Sequence, residues 1–174
     1  SQKKSATKSV SSKGGTQLTP FEINVADYEE NRHFFLAHYF RDIYDKAMST
    51  LPNITTGIKI TRVEIWVTNK TGTTSNSRNV IALTDLGEGA HVSKPLWGGD
   101  TSLPPSNTAN SEYQQMTTQY ADARNIDKTS SVLATIPDFE GGVDYEKVQS
   151  ARLLTSSEYT LNSALGYVSL KSTL

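Results

Sequence analysis

The residues of this chain that could do chemistry are few and scattered. The three histidines are His33, His38 and His91. His33 and His38 are five apart, about 140° around a helix axis, too far to share one metal ion. There is no His-Glu-x-x-His run and no cysteine, which excludes thiolate zinc sites, disulfides and a cysteine nucleophile. Carboxylates are plentiful, but Glu29-Glu30 and Asp138 with Glu140 sit where helix starts and turns place acids. No spacing singles out an acid–base pair. Leu86-Gly87-Glu88-Gly89 offers a Gly-x-Gly after an expected strand, without the third glycine and following helix of a dinucleotide cradle. P-loop and nucleophile-elbow patterns are missing as well. These spacings predict a non-enzymatic chain with no catalytic, cofactor-binding or metal-ligating residue, and no cofactor.

The two tryptophans are the more informative residues. Trp66 falls on one strand face with Arg62 and Glu64, opposite Val63, Ile65 and Val67. An aromatic ring among charged groups is how a platform for a peptide or a sugar is built. Trp97, between Pro95 and Gly98-Gly99, reads as a loop anchor. For both indoles the competing outcome is packing beneath a helix or a loop. Trp66, Arg62, Glu64 and Trp97 therefore form the candidate partner-binding surface.

The elements that must position these residues follow from pattern and composition. A chain of 174 residues with 36% hydrophobic and 20% charged residues suits one domain able to bury a core without a staple. Net charge is −1, which gives no reason to expect a nucleic-acid partner. Residues 1–19, with Lys3, Lys4, Lys8 and Lys13 and no acid, read as a basic arm or weak hairpin strand, and 20–174 as a single domain. A hairpin is expected within 3–25, turning at Gly14-Gly15 and ending in the alternating run Phe21 to Val25. No signal-like or membrane-spanning apolar run is present, so an internal piece of a longer protein is expected.

A long core helix is predicted from Tyr28 to Thr50, with Leu36, Phe40, Ile43 and Ala47 on its inner stripe and Asp27 and Glu30 as a capping box. Strands are predicted at 59–68 and 78–84, paired as a long-looped hairpin. A loop follows over 87–110, then helices at 111–123 and 129–135, the second stopped by Pro137. The pattern closes with a strand at 159–161, a turn, and a strand at 167–170 expected to lack a pairing neighbour. The fold class is α+β: one long core helix on a mostly antiparallel sheet, with two shorter helices and a long loop.

Several blocks carry a family resemblance. They are Asp27 to Asp42, Ile60 to Lys70, Arg78 to Glu88, Tyr120 to Arg124, and Glu158 to Leu170. In this order they resemble the SprA/Sov family, and they cover most of the chain beyond residue 20. The resemblance implies a giant outer-membrane translocon of Bacteroidota that secretes type IX cargo and, in gliding species, surface adhesins. It implies that this segment is a soluble structural or partner-binding part, on the periplasmic or extracellular side, and brings no catalytic residues with it. The expected partners are other secretion-system subunits or secreted cargo. A carbohydrate-binding or adhesion module, suggested by Trp66, Trp97 and the eight tyrosines, is the alternative.

Overall fold

The computed structural model describes residues 29–70, 72, 74–92, 96–99 and 104–173. The basic arm at 1–19, the hairpin within 3–25 and the Asp27 cap lie outside the described residues.

The run read as one long helix is two elements. Asn31 adopts a left-handed φ of 55°, which a helix cannot continue through. Beyond it His33–Phe35 forms strand β1, and helix α1 covers only His38–Met48. Phe34 and Phe35, inside the span predicted as helix, lie on β1 and stay about two-fifths exposed (43% and 40%). What remains of the predicted stripe is its second half. Phe40 and Ala47, two turns apart, are buried on one side of α1.

Strands β5 (Tyr159–Asn162) and β6 (Tyr167–Leu170) form the predicted terminal hairpin. β1 adds to the far side of β6, giving an antiparallel sheet ordered β1-β6-β5. The strand at 167–170, expected to lack a neighbour, is thus the central strand of its sheet. That position accounts for the burial of Val168 and Leu170. Around the hairpin turn, Gly166 accepts a hydrogen bond from Leu36 N–H at 2.8 Å, tying the chain that enters α1 to this sheet.

The second sheet departs further from expectation. Its strands are β2 (Trp66–Val67), β3 (Ser77–Leu83) and β4 (Tyr145–Leu153), in the order β2-β4-β3, all antiparallel. The segments at 59–68 and 78–84 do not pair with each other, because β4 lies between them. β2 is two residues long, far shorter than the run of β-branched residues suggested. Helices α2 (Glu112–Thr118) and α3 (Thr129–Leu133), joined by a 3₁₀ turn at Ala121–Arg124, supply the helical part of the second core. That core gathers Trp97, Ala123, Leu133, Ile136 and Phe139, with Ile81 and Leu83 of β3 packed against them. Thr129 Oγ lies 2.7 Å from the Ala123 carbonyl and fixes the start of α3 to the preceding turn. The architecture is α+β: three short helices and two three-stranded antiparallel sheets among the described residues.

Helix α1 lacks a local cap, since Ala37 at its N-cap offers no side-chain acceptor. Glu88, fifty residues away and 6% exposed, supplies one: its two carboxylate oxygens accept His38 N–H at 3.0 Å and Tyr39 N–H at 2.6 Å. A buried carboxylate at the positive end of a helix meets both the orphan amides and the dipole. Just beyond it the rings of His38 and His91 stack with centroids 4.0 Å apart. Glu88→Ala is expected to lower stability by about 2 kcal/mol in urea unfolding, the upper range for losing an N-cap. Glu88→Gln, which keeps one acceptor oxygen, is expected to lose roughly half of that.

Candidate functional site

The long loop over 87–110 is where sequence patterns first suggested a cradle or an anchor. Gly87 has φ +71°, and a Cβ there would meet the Ser106 carbonyl oxygen at 2.7 Å. Ser106 N–H donates to Gly87 O at 2.8 Å, so the Gly-x-Gly stretch serves close packing of two loop strands. Trp97 anchors this loop. It is 2% exposed, makes edge-to-face contacts with Tyr120 and Phe139, and its carbonyl accepts Ser111 N–H at 3.1 Å. An indole this deep cannot meet a partner, so Trp97 leaves the candidate surface. The physical reason is its position in the second core, among Ala123, Leu133, Ile136 and Phe139, with Met116 and Tyr120 packed against them.

Trp66 is different. It starts β2, an edge strand, and is half-buried. Its Nε1–H donates to Glu64 Oε2 at 3.3 Å, and Arg62 pairs with the other Glu64 oxygen. The Arg62 hydrogen bond first, the Trp66 one second and the Arg62 charge third hold the Glu64 carboxyl below its usual range. On the ring itself rests Arg78 of β3, its guanidinium carbon 5.6 Å from the ring centroid, a cation–π contact. Trp66, Arg62 and Glu64 are in contact with one another, and Arg78 joins them as a member that the sequence did not point to. Only the cross-sheet order β2-β4-β3 puts residue 78 near residue 66.

Two clefts flank the Trp66 ring. One, of about 460 Å³, is lined by Glu64, Arg78, Asn79, Arg124 and Ile126 beside Trp66. The other, of about 430 Å³, is lined by Lys70, Val148 and Arg152. Among the described residues no strand pairs with the outer side of β2. Leu154 N–H donates to Ile65 O at 2.8 Å, so Ile65 turns its main chain toward β4. The next residue in an antiparallel ladder faces the other way, which aims the N–H and C=O of Trp66 off the edge of the sheet.

Other groups with chemical potential do not converge. A cleft of about 800 Å³ is lined by Leu36, Phe40, Ile81 and Leu83, and Asp85 is its one carboxylate. Glu112, 4% exposed, has its carboxyl pushed up to about 7 by burial, then by the charges of Asp85 and Asp144. It does not line that cleft. His33 lies on β1 between Glu29 Oε2 and Ser169 Oγ, each at 2.8 Å, while His38 lies on α1. Their separation thus comes from belonging to different elements. Among the described residues no group of three or more histidines and acids is arranged to hold a metal ion. Nor is any helix there long and apolar enough to cross a membrane.

No curated protein matches the chain. The model of the SprA_N family, described as motility related/secretion protein, matches residues 1–172, nearly the whole sequence, and the chain belongs to that family.

Proposed function

We propose that this chain is a non-catalytic docking domain of a protein-secretion translocon in the bacterial outer membrane, of the type IX kind that also serves gliding motility. Membership of a motility and secretion family over residues 1–172 is the observation that carries this reading. The domain holds its place by its folded shape and meets another secretion subunit or a cargo protein through the Trp66 face. Support comes from the composition of that face: a half-buried tryptophan lies under an arginine on an edge strand, and tryptophan and arginine are both enriched at the energetic centres of interfaces. The carbohydrate-binding alternative keeps Trp66 but loses its second platform, because Trp97 is in the core.

The test uses living cells that carry the gene. A photo-crosslinking amino acid placed at position 66 is expected to give an adduct with a secretion-system subunit or cargo. A Trp66→Ala strain is expected to secrete less cargo and spread less while keeping the protein at normal level. Normal secretion in that strain, together with no protein adduct, would sink the proposal. So would turnover of a peptide, ester or glycan by the purified chain that Glu112→Gln abolishes.

A further inference from the structure

We infer that the Trp66 face receives an extended, acidic segment of a partner polypeptide, laid along the open edge of β2. This rests on the docking reading above and adds the chemistry of the partner. Charge is the first argument. The chain as a whole carries −1, yet the two clefts beside Trp66 are lined by Arg78, Arg124, Lys70 and Arg152 against the single carboxylate of Glu64. Two of these groups are already engaged: Arg152 pairs with Glu158 at 2.9 Å, and Glu64 is held by Arg62. Arg78 and Arg124 have no carboxylate at ion-pair distance among the described residues. Both line one cleft, Arg78 over the Trp66 ring and close enough for its charge to act on Glu64, so a carboxylate entering the cleft meets two guanidinium groups.

Backbone geometry is the second argument. β2 is an edge strand only two residues long, and the N–H and C=O of Trp66 face outward. An incoming peptide in extended form matches such an edge with its own amide groups and adds as a fourth strand of the sheet ordered β2-β4-β3. Its alternate side chains then fall about 7 Å apart on one face. Side chains of that strand come beside Trp66, which lines both clefts. A nucleic acid strand would also value arginine and an indole, but it lacks alternating donors and acceptors for the strand edge.

The experiment is a binding titration on the purified full chain with three labelled probes. These are a ten-residue alternating Glu-Val peptide, its Lys-Val counterpart and an oligo-dT strand. The Glu-Val peptide is expected to bind and to shift the tryptophan emission. Its affinity should weaken about tenfold between low and moderate salt, as contacts between exposed charges do. Arg78→Glu and Arg124→Glu, both on exposed side chains, are expected to weaken it about tenfold each while the circular dichroism spectrum is unchanged. Absence of Glu-Val binding, equal binding of Lys-Val, indifference to both charge reversals, or tighter binding of oligo-dT would each overturn the inference. None of these outcomes touches the docking reading, which fails instead when cells give no adduct at position 66 and secrete normally.

Discussion

Gly166→Ala is expected to destabilise the fold by about 4 kcal/mol, close to the whole stability of many small domains. Two independent effects add. Gly166 sits at φ +63°, where any Cβ is strained by roughly 1–2 kcal/mol. A Cβ built there would also lie 2.1 Å from Phe40 Cγ and 2.2 Å from Cδ2, deep inside van der Waals contact. Phe40 has little room to give way, because it is 1% exposed and packed from α1 against the β5–β6 turn. Overpacking of this kind costs about 1–3 kcal/mol. Gly142 is the control. Its φ is +82° and nothing lies within 4 Å of the built Cβ, so Gly142→Ala should show the backbone term alone. Phe40→Ala by itself leaves a cavity and is expected to cost about 3–5 kcal/mol. In the double variant the alanine at 166 enters that cavity, so the combined loss should fall clearly below the sum of the two. Urea unfolding of the wild type and the four variants checks each number. An additive double variant would show that the ring and the glycine do not share the contact.

That junction also shows what could be read from sequence and what could not. The terminal hairpin was legible because Tyr159 to Asn162 and Tyr167 to Leu170 alternate cleanly around a turn containing Gly166. Phe40 and Ala47 were legible as a helix stripe, and Leu133 with Ile136 as a short helix ended by Pro137. The start of α1 was not, because one residue, Asn31 in a left-handed conformation, divides the pattern, and bulky Phe34-Phe35 suits strand and helix alike. β4 went unread because Ser150, at φ +52°, and the register shift opposite Arg78 and Val80 break the period-two alternation that would have announced it. Missing β4 then misplaced β2 and β3 as partners. Arg78 had no place in the candidate surface for the same reason, since its position beside Trp66 depends on the strand order. Glu88 and Glu112 carry no local signal either. One caps a helix from fifty residues away, and the other is remarkable only for its burial.

Burial of Glu112 leads to a pH dependence whose sign is the reverse of ordinary acid denaturation. Its folded-state carboxyl titrates near about 7, against 4.5 for the free group, because burial and the nearby Asp85 and Asp144 charges disfavour the anion. Below 4.5 the group is protonated in both folded and unfolded chains, and its contribution to stability is fully present. Between 4.5 and about 7 the unfolded chain releases the proton and the folded chain keeps it, so stability falls as pH rises. Above that window the loss is complete, about 3 kcal/mol at most from a shift of this size. Glu112→Gln keeps the shape and removes the titration. The variant is expected to unfold at higher urea than the wild type at pH 8, by about 2–3 kcal/mol, and the gap should close toward pH 5. Taking the difference between the two proteins cancels every other titrating group, including Glu158, whose carboxyl is held low first by the Thr155 amide and then by Arg152. A variant weaker than wild type at pH 8 would mean that the Glu112 anion is held by contacts stronger than the repulsion from Asp85 and Asp144. The buried acid would then be a structural tie between the loop, α2 and the start of β4, and not a strained one.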